Sequence, residues 1–80
     1  MPNLEERLKE CFSTTFPNLS SDEILRCSTA SVANWDSLAT VTLVSLIEEE
    51  FAITIAPEEY AYIVSFDLVN QCLKSKIVNV

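Results

Sequence analysis

Residues 36–51 read DSLATVTLVSLIEEEF, and the architecture turns on what this stretch forms. Stepping 100° per residue gathers Val41, Leu43, Val44, Ile47 and Phe51 into one broad apolar arc. Leu38, Thr42, Ser45 and Glu49 fall on the other side, with Glu48 at its margin. The pattern predicts an amphipathic helix that opens at Asp36 or Ser37 and runs to about Glu50. Both residue types serve as N-caps, so the serine has an ordinary structural explanation from the start.

Outward from this helix the periodicity stays helical. Upstream, Asn3 followed by Leu4, Glu5 and Glu6 reads as a helix start, with Glu6 placed to complete a capping box. Leu4, Leu8, Cys11, Phe12 and Phe16 recur on one face, and Pro17 stops the run because its ring disfavours helical geometry at Phe16. A long connection, 17–36, follows. Ser20 with Glu23 suggests a short turn near Asp22–Leu25, and Ile24, Leu25, Val32 and Trp35 are expected to pin the loop to the core.

Downstream, AITIA (52–56) alternates like a strand but has no partner, which favours an extended connector. Pro57 suits the first turn of a short third helix with Glu58 and Glu59 at its positive end and Tyr60, Ile63 and Val64 on its apolar side. Ser65 then caps a fourth helix whose buried stripe is Phe66, Val69, Cys72, Leu73 and Ile77, with Lys74 and Lys76 near its end. The expected fold is all-α, a small four-helix bundle over 1–80. It has three longer helices, a short third one, and a long loop between the first two.

Composition narrows function by exclusion. Eighty residues make one small domain. Twelve acids against five bases give a net charge of −7. No basic stripe is available for nucleic acid or anionic lipid, whereas a basic protein partner fits. No histidine and no glycine are present, which removes the commonest general base and every glycine-rich phosphate loop. Three cysteines at 11, 27 and 72 show no metal-ligand spacing. Cys11 and Cys72 lie on apolar sides, where buried free thiols are expected. No signal peptide or membrane span is visible, so a cytoplasmic monomer without catalytic residues or a metal is the expectation.

What remains is Ser37, which nothing nearby activates. A helix N-terminus offers free N–H groups and partial positive charge, a suitable place to carry a phosphodiester that another protein installs. Residues 36–73, DSLATVTLVSLIEEEFAITIAPEEYAYIVSFDLVNQCL, resemble an acyl carrier protein. Housekeeping members of that family typically read DSLDTVELV, then a stretch ending EEEF, then a proline-acidic segment, and this chain follows the order without a gap. The first helix and long loop fit as well, so the resemblance covers essentially the whole chain.

The resemblance implies that Ser37 carries 4′-phosphopantetheine, transferred from coenzyme A by a separate phosphopantetheinyl transferase, with the acyl group held as a thioester on the arm's thiol. It implies that Asp36 helps hold the metal and coenzyme A phosphate during attachment, and that Leu38 seats against the transferase. It places partner docking on Leu38, Ala39, Thr42, Ser45, Glu48 and Glu49, and a pocket for cargo between helices two and three. There Phe51, Ile53, Ile55, Tyr60 and Ile63 are read first as core.

The departures suggest other clients than those of fatty acid biosynthesis. Positions matching Ala39 and Thr42 are acidic in housekeeping members, and that matching Ser45 is usually methionine. Each lost rim charge weakens a contact by only about 0.2–1 kcal/mol, but partner choice rests on such differences. WDSLA is similar to specialised free-standing carriers of lipid, polyketide or polysaccharide pathways, with some likeness to aminoacyl or peptidyl carriers. Acyl-loading and acyl-using enzymes with partly basic docking surfaces are the implied partners. The reading from a different class is an acidic helical adapter in which Ser37 is only a cap.

Overall fold

The computed structural model describes residues 3–77. Its elements in order are α1 (Leu4–Thr15), α2 (Ser21–Leu25), α3 (Ser37–Phe51), the 3-10 helix η1 (Pro57–Tyr62) and α4 (Phe66–Ile77). The chain is all-α, with no strand among the described residues.

Local chemistry sets most of the boundaries. Asn3 caps α1 by accepting the Glu6 N–H at 2.9 Å. The helix stops at Phe16, whose φ/ψ of −126°/74° is the non-helical geometry that Pro17 demands. Ser20 and Glu23 form a reciprocal capping box, so α2 is a true short helix inside the long connection. Ser65 accepts the Leu68 N–H at 3.2 Å and opens α4.

The core runs through the expected stripes. Leu8, Cys11, Phe12 and Phe16 meet Leu43, Val44 and Ile47 of α3 and Phe66, Val69 and Leu73 of α4, all buried. Each large side chain so buried contributes about 1.5–3 kcal/mol relative to exposure. Trp35 anchors the connection. It is only 5% exposed and lies edge-on to Phe12 with ring centroids 5.6 Å apart, and tilted against Phe16 at 5.3 Å. Asn70 is buried among these residues, and its Oδ1 has no hydrogen-bond partner among the described residues.

Several expectations are corrected. The turn expected near Asp22–Leu25 is a short helix, α2, and the short helix expected from Pro57 is a 3-10 helix, η1. That element ends at Tyr62 because the next residues are claimed elsewhere: the Val64 carbonyl accepts the Thr29 N–H at 2.9 Å, and Cys27 accepts the Phe66 N–H at 3.1 Å. These bonds make the isolated Ser28–Ser65 bridge that staples the long connection to the start of α4. Leu25 is 36% exposed and Val41 50% exposed, so neither belongs to the core. Cys72 is half-buried, while Cys27, on which no burial was expected, is buried with Cys11. All three thiols are free.

Candidate functional site

The site is built where the stapled connection turns into α3. Asp36 has extended geometry (φ −105°, ψ −170°), and its Oδ1 accepts the Ala39 N–H at 2.9 Å. Asp36 is therefore the cap, and Ser37 is the first helical residue. Ser37 is exposed, and its hydroxyl makes no hydrogen bond to any described residue. The choice left open by the sequence, Asp36 or Ser37 as cap, falls on Asp36.

Beside Ser37 lies an open groove of about 450 Å³ between α3 and η1. Trp35, Asp36, Ser37, Thr40 and Val41 form one wall, with Tyr60, Ile63, Val64 and Thr29 opposite. Val41 is exposed because it borders this groove and no element covers it. Of the side chains first read as core, Ile55 and Ile63 are buried and Phe51, Ile53 and Tyr60 are half-buried. Tyr60 and Ile63 also line the groove.

The outer face of α3 differs from the expected docking surface. Leu38 (75% exposed), Thr42, Ser45 and Glu49 do face outward. Ala39 is half-buried and packs on the core. The three glutamates divide their duties. Glu48 accepts the Ile55 N–H at 2.8 Å with its carboxylate, and the N–H groups of Ala52 and Ile53 point to its carbonyl. Glu50 pairs with Arg7 at 2.8 Å, and that guanidinium also sits 4.6 Å from the Phe51 ring centroid. Of the three, only Glu49 makes no such internal contact with the described residues. The face that follows Ser37 is thus neutral apart from Glu49, with Leu38 its one large apolar side chain.

Two residues of the site escaped the sequence reading. Thr40 lies three positions after Ser37, a spacing that puts both on one side of a helix. What spacing cannot show is that the Trp35 indole, from before the helix, donates to Thr40 Oγ1 at 3.1 Å. Glu59 was read as a dipole-favoured acid, but it is a clasp. Its Oε1 accepts the Ala56 N–H at 2.9 Å, and its Oε2 pairs with Lys76 of α4 at 2.9 Å, which fixes η1 as the far wall of the groove.

All three thiols are shifted toward their protonated form. Burial pushes Cys11 up to about 11, with Glu50 and Glu10 adding to the rise. Burial likewise raises Cys27, and raises Cys72 together with the charge of Glu59. No group of three or more candidate metal ligands is assembled among the described residues, and no described helix is long and apolar enough to cross a membrane. Compared with models of known protein families and with curated proteins, the sequence matches none.

Proposed function

We propose that this protein is a carrier that holds an acyl group as a thioester on a 4′-phosphopantetheine arm attached to Ser37, and presents it to enzymes of a specialised lipid, polyketide or polysaccharide pathway. The observation that carries the reading is the division of labour at the start of α3. Asp36 does the capping, so Ser37 keeps an exposed and unengaged hydroxyl at the mouth of a groove. The resemblance of residues 36–73 to acyl carrier proteins supplies the chemistry that fits such a serine.

In this reading Ser37 Oγ bonds to the phosphorus that becomes the arm's phosphodiester. Its proton leaves to a base on the transferase, and adenosine 3′,5′-bisphosphate departs from coenzyme A. Ser37 needs no base of its own, in keeping with a chain that has no histidine. Asp36 uses one carboxylate oxygen for the cap, and the other would be free to ligate the metal that holds the coenzyme A phosphate during attachment. The positive end of α3 favours the phosphate once attached. The arm, when present, would supply a thiol that exchanges acyl groups.

The neutral exposed residues Leu38, Thr42 and Ser45 would select partners whose contact patch is more apolar than basic, with Glu49 as the remaining acidic contact. In the adapter reading, with Asp36 as the cap, Ser37 is an ordinary exposed surface residue and Ser37→Ala leaves partner binding intact. Incubation with coenzyme A and a phosphopantetheinyl transferase tests the proposal: the wild-type chain gains one arm, and a folded Ser37→Ala chain gains none. Attachment to Ser37→Ala, or none to wild type with several transferases, contradicts it.

A further inference from the structure

The helical threonines of this chain dispose of their hydroxyls in two ways. Thr14, Thr15 and Thr42 donate back to the carbonyls of Glu10, Cys11 and Leu38 at 3.0, 3.0 and 3.1 Å. That is the ordinary way in which a threonine inside a helix satisfies itself. Thr40 makes no such bond. Its Oγ1 instead accepts the indole N–H of Trp35 at 3.1 Å. Trp35 is buried and packs against the rings of both Phe12 and Phe16, so the indole is a fixed donor that sets how Thr40 can point its own proton. The Thr40 O–H is left as a donor with no acceptor among the described residues, and Thr40 borders the same groove as Ser37.

We infer that Thr40 is a positioning residue for the arm's phosphodiester: its O–H donates to a non-bridging phosphate oxygen, and Trp35 holds the hydroxyl in the donating orientation. The inference rests on the carrier reading, because it needs a phosphate on Ser37. Residues three apart on a helix have Cβ atoms about 5–6 Å apart, and a phosphate oxygen lies only two bonds beyond Ser37 Oγ. Thr40 therefore reaches it with a charge-assisted hydrogen bond, stronger than one between neutral groups. Donation to an anion also makes the Thr40 oxygen a better acceptor, so the indole N–H bond tightens as the phosphate arrives. Thr40→Val preserves shape and removes both bonds, and Thr40→Ser retains both.

The chain has one tryptophan, so a 15N-labelled sample shows a single indole cross-peak. With attachment verified by intact mass, the indole proton resonance of wild type moves downfield on going from unmodified to modified chain. Thr40→Ser reproduces that movement. Thr40→Val abolishes it, and the phosphorus resonance of its phosphodiester differs from that of wild type. A wild-type indole resonance that stays in place or moves upfield, on a chain whose mass shows the arm, overturns the role of Thr40 and leaves the carrier reading standing. So does a Thr40→Val chain that keeps the downfield movement. A chain that gains no mass overturns both. The wild-type comparison needs no variant to fold.

Discussion

Asp36 and Ser37 are adjacent, both polar and both capable of starting a helix, so their roles separate only in three dimensions. The Asp36 carboxylate takes the Ala39 N–H, and that bond frees Ser37 from the structure. The two positions should therefore respond differently to truncation of the unmodified chain. Asp36→Ala removes a cap and is expected to cost about 0.5–2 kcal/mol in a urea titration. Ser37→Ala is a surface change without a lost partner, and stays within about 0.5 kcal/mol of wild type. Equal losses at the two positions would show that Ser37 shares the capping. The sequence alone could not divide these roles, since D-S offers two caps in a row. Thr40 is hidden in the sequence for a related reason: its defining contact comes from Trp35, outside the helix that carries the periodicity.

The start and end of α1 and the start of α4 were legible because they rest on signals within a few residues, namely Asn3, Pro17 and Ser65, and the Ser20–Glu23 box marked a turn that is the helix α2. The arc of α3 was less so. Its angular pattern placed Val41 with Leu43 and Val44, but burial depends on a neighbour, and η1 stands off across the groove there. The end of α3 turns on Ala52, which adopts the left-handed conformation at φ 55°, ψ 46° in a chain that has no glycine. The Glu48 carbonyl and carboxylate both serve this turn, and hence Glu48 is a poor docking residue despite its place in an acidic run. Left-handed geometry costs an L-residue roughly 1–2 kcal/mol, partly recovered because alanine leaves the unfolded chain less freedom than glycine. Ala52→Gly is accordingly expected to stabilise the protein by about 0.5–1 kcal/mol, read as a higher midpoint of urea unfolding. A lower midpoint would mean that the turn is not held as described.

Across the whole molecule, local signals predict the helices, while two long-range ties shape the site. The Ser28–Ser65 bridge fixes the long connection against the start of α4, and the Glu59–Lys76 pair holds η1 against the body of α4. Neither is visible as periodicity, whereas the short helix expected from Pro57 is present as η1. The clasp has a pH signature. The bond to Lys76 comes first, and the Ala56 N–H second, in holding the Glu59 carboxyl below its ordinary 4.5; the same bond holds Lys76 above its ordinary 10.5. A depressed carboxyl contributes stability that is complete above the unfolded value and is lost as pH falls through the folded one. A raised lysine contributes stability that is complete below its unfolded value and is lost as pH rises through the folded one. Stability should therefore hold between these limits, and Glu59→Gln should make its acid-side decline shallower, with Glu23, lowered by its bonds to Ser20, still contributing. An acid limb unchanged by Glu59→Gln, in urea midpoints followed down through the carboxylate range, would contradict the clasp. The central claim concerns Ser37, and intact mass spectrometry after treatment with coenzyme A and a promiscuous phosphopantetheinyl transferase tests it most directly. A carrier gains a single phosphopantetheine adduct, located on the peptide containing Ser37 and absent from Ser37→Ala. No adduct with any of several transferases, on a chain shown to be folded, would contradict it.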